Sequence, residues 1–254
     1  MSTRNLLSGY KSVYLFLLLI FTIAINSANA QTKTKIVWDY PVKPNMEEWS
    51  LFKSMEDMYK TCQIPEDILK QIDTESLVDI CLNFPVPPVF PLFNTPQQGF
   101  MEYYNNFNGI HELFHRKDVA QYLVKRYVMM SLSEFNPLWP SYKQGQFISH
   151  YKFVEAILSQ PQVIASLDAE GRKVLLKETI RKLDEKISMD DLFSGFSLEI
   201  NLWVIANLLY AENKSIFGEY NQHNIQTAIE TGMFVDIDMN KLYQQAKNYI
   251  YENE

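Results

Sequence analysis

Glycine is scarce in this chain, at 8 of 254 residues, and no Asn-Gly or Asp-Gly turn falls between alternating apolar runs. That excludes a sheet built from tight hairpins, which need residues able to adopt positive φ. Cysteine is scarcer still. Cys62 and Cys81 stand far apart with no histidine beside them, which is not the spacing of a structural zinc site. No basic block interleaved with aromatics occurs, and 30 acidic side chains outnumber 23 basic ones, for a net charge of −7. A chain of that sign repels phosphate backbones and anionic membrane surfaces, so nucleic acid is not an expected partner. A G-x-S-x-G nucleophile elbow and a glycine-rich phosphate loop are also missing.

What is present begins at the N-terminus. Arg4 and Lys11 precede an apolar run of thirteen residues, Val13 to Ile25, and Ala28-Asn-Ala30 follows. This is the layout of a secretory signal peptide over residues 1–30, cleaved after Ala30. The run is short of the roughly 20 residues a membrane span needs. The expectation is an exported protein, periplasmic or extracellular, with no membrane insertion after cleavage. Without Arg4 and Lys11 the 23 basic residues become 21 against 30 acidic ones, a net charge of about −9. An oxidising compartment makes a Cys62–Cys81 disulfide the expectation. It would close a loop of about 20 residues, worth about 3 kcal/mol in a chain-entropy treatment. The alternative is two buried free thiols.

The rest reads as all-α. An extended segment is expected over 31–44, where Pro41 and Pro44 prevent regular structure. One helical domain should follow over 45–254, with an optional division into 45–133 and 146–254. Asn45, with Glu48 as reciprocal partner, should cap a helix running to Cys62. Pro65 should open a short helix and Asp73 cap another to Leu82. Phe84–Pro96 holds five prolines and is expected to cross without helix. From Gln97, Phe100, Tyr103, Phe107, Ile110 and Phe114 form one helical stripe. Asp118 should cap the next helix to about Ser133. Further helices are expected at Phe147–Leu158, from Pro161, and from Asp168, the last with Leu176, Ile180, Leu183 and Ile187 on one face. Leu198–Tyr210 is apolar almost all round and should be a central buried helix. Two more close the chain, near 221–231 before Gly232 and 239–251 after Asp238. Pro65–Val78 and Pro161–Leu176 echo one another, each with a Pro-led short helix and then Asp-x-Glu. That gives the compact helical array a weak repeat character of the HEAT kind, or reflects caps that recur in any helical protein.

His111-Glu-Leu-Phe-His115 matches the H-E-x-x-H pattern of zinc peptidases, in which two imidazoles bind the metal and the glutamate is the base. Glu134, nineteen residues after His115, has the spacing of the third ligand in gluzincins. The context opposes this use. Glu112 falls opposite the apolar stripe and should face solvent, the motif sits in a last helical turn, and Glu134 lies in a helix-breaking stretch. His150 reads as an isolated surface or helix-face residue. The other candidate chemistry is aromatic. There are 15 Tyr, 16 Phe and 4 Trp, several in loops: Phe84, Phe90, Phe93, Trp139 and Tyr142. These rings either stack on sugars or peptides, or fold back as lids on the core.

Tyr40–Trp49 (YPVKPNMEEW), Cys62–Pro85 (CQIPEDILKQIDTESLVDICLNFP) and Phe107–Tyr127 (FNGIHELFHRKDVAQYLVKRY) resemble motifs of a family of exported bacterial proteins. The likeness spans most of the chain beyond residue 30. It implies export and no assigned catalytic residues, and in that family the H-E-x-x-H position is not a fixed zinc motif. Three functional classes follow. The first is a non-enzymatic exported protein that acts through its surface on a protein or glycan partner, with no cofactor. The second is a zinc peptidase using His111, His115 and Glu134, with Glu112 as base. The third is a carbohydrate- or peptide-binding module built on Phe84, Phe90, Phe93 and Trp139.

Overall fold

Every regular element among the described residues is helical. The computed structural model describes residues 37–252 apart from 88, 190 and 194. The signal peptide expected over 1–30 and the start of the extended segment lie outside them. Residues 37–46 carry no helix, as their prolines dictate. The helix expected from Asn45 to Cys62 is two pieces, a 3-10 turn at Glu47–Leu51 and α1 at Met55–Thr61. The Asn45 box does not form. Ser54 is the cap instead, its Oγ accepting the Asp57 N–H at 3.1 Å, with Glu56 and Asp57 favouring the positive end of the helix.

Pro65 precedes α2 (Glu66–Gln71), and Asp73 caps α3 (Thr74–Leu82) by accepting the Ser76 N–H at 2.8 Å. The stripe from Gln97 is split into α4 (Pro96–Asn106) and α5 (Asn108–Leu113). The break is at Phe107, whose backbone is extended at φ −128° and ψ 117°. Tertiary bonds cause it. The Asn108 N–H donates to Gln63 Oε1 (3.0 Å), and the Asn108 side chain holds both the Ile64 N–H and carbonyl (3.0 and 2.8 Å). α6 is Val119–Met129, and Asp118 before it spends its carboxylate on the Thr74 hydroxyl at 2.9 Å rather than on a cap.

α7 (Ser141–Leu158) begins well before the expected Phe147, and α8 (Pro161–Ser166) and α9 (Ala169–Ile187) follow. Asp168 caps α9 through the Gly171 N–H at 2.7 Å. The echo noted in the sequence is thus realised locally. In both copies a buried aliphatic residue in extended conformation, Ile72 or Leu167, joins a short helix to an Asp-capped one. The near-apolar segment is α10 (Phe196–Glu212), packed on by α7, α8, α9, α11 (Gln222–Thr231) and α12 (Met239–Glu252). The two optional sub-units share one hydrophobic core, since α3 and α4 pack on α7 and α6 packs on α9. Among the described residues no helix is long and apolar enough to cross a membrane.

Candidate functional site

A groove of about 1290 Å³ opens where three remote segments meet: residues 38–45, the C-terminal end of α3 with the proline crossing after it, and residues 139–153. Its floor is aromatic and buried. Tyr40, Phe84 and Phe153 lie there, with Phe84 4.9 Å from Tyr103 and 4.5 Å from Phe107, ring centre to ring centre, and Tyr103 4.8 Å from Phe153. The Tyr40 hydroxyl donates to the Ile80 carbonyl at 2.7 Å and the Tyr103 hydroxyl to the Cys81 carbonyl at 3.0 Å. The first bond ties the segment before the first helix onto the end of α3, and the second ties α4 onto the same turn. Burial and the two nearby thiols hold the Tyr40 phenol far above its ordinary value, so it stays protonated.

The walls are half-buried rings. Trp38 packs edge-on against Tyr40 at 4.8 Å, and Trp139 joins Phe135 and Phe147 in a triad with centres 5.7–5.9 Å apart. The Trp139 loop is held by Gln144 Nε2, which donates to the carbonyls of Trp139 (2.7 Å) and Pro137 (3.1 Å). Lys143 Nζ sits 4.4 Å over the Trp139 ring. On the rim, the Tyr142 side chain is 71 % exposed. On α7, Tyr142, Gln146, Ser149 and Phe153 recur at helical spacing on the groove side, with His150 on its flank. Glu155 on the same helix turns into the core.

The electrostatics of the groove are balanced. Asp39 pairs with Lys43, and that hydrogen bond holds its carboxyl below the usual range. Asp79 pairs with Arg126 from α6. Burial lowers the His150 imidazole below its ordinary value, so the ring is neutral at pH 7. Such a surface can stack on flat faces and offer amides, a hydroxyl and an imidazole as hydrogen-bonding partners.

The aromatic residues singled out in the sequence therefore divide. Trp139 is a groove wall and Phe84 its floor, whereas Phe90 is buried against Gly99 and half-buried Phe93 packs on the same glycine, away from the groove lining. Phe90 and Phe93 lid the core. Tyr142, expected in a loop, lines the groove from the first turn of α7, and Trp38 is the ring added to the expected set. Gln146 enters the lining because α7 starts at Ser141, and His150, read in the sequence as an isolated surface or helix-face residue, lies beside it on the same helix. The signal was legible as the Tyr142, Gln146, Ser149, Phe153 spacing.

The H-E-x-x-H residues lie elsewhere. His111 and Glu112 are in α5 and His115 is in the turn after it, its Nδ1 2.7 Å from the His111 carbonyl oxygen. The two imidazole centres are 5.1 Å apart. Glu112 does not face open solvent as expected. It accepts from Arg116 Nε at 2.7 Å, and Arg116 in turn donates to the carbonyls of Ile72 and Leu69. Glu112 thus serves to hold an arginine over the end of α2. Glu134 sits in the 3-10 turn Leu132–Glu134 beyond α6, and no group of three or more metal-binding side chains comes together among the described residues.

Cys62 ends α1 and Cys81 lies in the last turn of α3, as expected, but the expected disulfide is not formed: both are buried free thiols. Burial pushes the Cys62 thiol up to about 11 and Cys81 higher still, which keeps both protonated in this fold.

A second polar arrangement lies inside the core and went unread in the sequence. Lys186 Nζ donates to both carboxylate oxygens of Glu155 at 2.5 and 2.7 Å, and neither side chain has any solvent exposure. The Tyr127 hydroxyl (2.8 Å) and Asn201 Nδ2 (3.0 Å) complete the shell around Glu155. Beside them Lys182 pairs with Glu178 at 2.8 Å and donates to the Met130 carbonyl. These side chains join α6, α7, α9 and α10. No family model, curated protein or solved structure matches the chain.

Proposed function

We propose that this chain is an exported, non-enzymatic binding protein that acts through the aromatic groove. The observation that carries the reading is the groove itself: an open recess of about 1290 Å³ with half-buried or exposed Trp and Tyr rings over a buried aromatic floor. Small-ligand pockets span roughly 300–1,000 Å³, so this one has room for an extended ligand. Large aromatic rings left partly wet at a concavity are common where a partner covers them. Support for export comes from the basic, apolar and small-residue succession before Gln31 and from the resemblance to exported proteins. The peptidase alternative draws no support from the geometry, since Glu112 is committed to Arg116 and Glu134 lies in a separate turn.

The test uses protein recovered from the exported fraction, whose N-terminus is expected at Gln31. That protein is titrated with a panel of uncharged oligosaccharides and proline-containing peptides, while the emission of Trp38 and Trp139 is followed. A member of the panel should bind, and Trp139→Ala or Tyr142→Ala should weaken it. If no member binds, or binding ignores both substitutions, the groove is not the working surface.

A further inference from the structure

Resting on that reading, we infer that the groove takes an uncharged oligosaccharide, stacked on Trp38, Trp139 and Tyr142 and hydrogen-bonded by the amides and hydroxyl beside them. Three observations single out this class of ligand. The first is charge. The lining carries Asp39 and Asp79 against Lys43 and Lys143. Each aspartate is already paired, with Lys43 or with Arg126, and Lys143 lies over the Trp139 face. An anionic ligand would meet no open cluster of cations on a chain of net charge −7, and a cationic ligand would meet no open carboxylate. A neutral ligand leaves both ion pairs intact.

The second observation is the kind of polar group presented. Asn45, Gln146 and Ser149 are exposed along the lining, and Asn83 spends its amide N–H on the Asp79 carbonyl while its oxygen stays an acceptor. Mixed donors and acceptors without charge match a hydroxyl-covered ligand, in which each group both donates and accepts. The third concerns the alternatives. Among the described residues there is no strand, so no sheet edge exists for an extended peptide to join. A bound helix would need aliphatic sockets at i, i+3 and i+4, yet Ile80 and Leu82, the aliphatic residues of the lining, are buried. Proline-rich peptides also use aromatic grooves, and they stand as the competing outcome.

The full exported chain is titrated with short uncharged hexose oligomers, their uronic-acid counterparts and a polyproline peptide. Binding is read by calorimetry and by tryptophan emission, with circular dichroism confirming that each variant is folded. The uncharged oligomer should bind, and either Tyr142→Ala or Trp139→Ala should weaken it about tenfold, the scale of one lost stacking contact. Tyr142 is exposed, so its removal leaves the packing intact even if the Trp139 variant loosens its loop. Polyproline binding that depends on Tyr142, with no oligosaccharide binding, overturns this inference and leaves the groove as the working surface. Tighter binding of the uronic-acid oligomers overturns it as well. Silence from all three probes overturns both the inference and the function it rests on.

Discussion

At the scale of single residues, the buried Glu155–Lys186 pair carries the largest stake. Two opposite charges removed from water cost several kcal/mol each in desolvation, which their contact and the Tyr127 and Asn201 bonds offset. Removing one partner strands the other. Lys186→Met is therefore expected to destabilise the protein by about 3–5 kcal/mol, and Glu155→Gln/Lys186→Met by much less than the two single changes summed. Urea denaturation of the four proteins measures this, and additive effects would show that the pair is not coupled. His150 gives a pH signature. Its folded-state value is depressed by burial, so the unfolded chain takes up a proton that the folded chain refuses. Stability is complete above the ordinary histidine value of about 6.5 and falls as the pH drops from there toward the lowered folded value. His150→Gln should flatten that limb of a urea-midpoint profile, and an unchanged slope would place its cause elsewhere.

At the scale of elements, the helix ends show where local chemistry suffices. Asp73, Asp168 and Asp238 cap the helices that follow them, each accepting a backbone N–H three residues on. Gly232 ends α11 in the left-handed region at φ 77°, and a Cβ there would sit 2.9 Å from Pro96 Cγ and 3.0 Å from Trp203. Gly232→Ala combines backbone strain with a close contact. It should cost more than about 1 kcal/mol, visible as a lowered Tm, and a neutral result would mean that α11 re-seats without loss. Elsewhere local signals misled. The apolar stripe from Phe100 to Phe114 has unbroken helical spacing, yet the helix breaks at Phe107 because Gln63 takes the Asn108 N–H. Nothing within that stretch announces a partner forty-odd residues upstream.

At the scale of the whole molecule, the cysteines report on the compartment and the core together. Both thiols are fully buried and held protonated, so they should resist thiol reagents in the native state. Denatured, unreduced protein is expected to titrate two thiols per chain. None would mean that the disulfide forms after all, beside the Tyr40 ring that both thiols neighbour. The same surroundings form the groove floor, so bridge formation and ligand binding would then have to be measured on one preparation.

Chain composition and short-range pattern by themselves determined the all-helical class, the order of the helices, the caps at Asp73, Asp168 and Asp238, and the burial of α10 on all sides. Each rests on interactions within a few residues along the chain, or on an apolar surface that has nowhere else to go. Ile187 and the lysines of α9 show where this ends. By pattern Ile187 belongs to the apolar face and Lys182 and Lys186 to the wet one, but Ile187 is exposed while both lysines are buried. Only packing against α6, α7 and α10 brings Glu155, Tyr127 and the Met130 carbonyl to their ammonium groups. The groove is decided in the same way. Trp38, Asn83 and Gln146 come from three segments that share no local interaction, and they line one recess because Tyr40 and Tyr103 bond to the last turn of α3 and α7 closes over them.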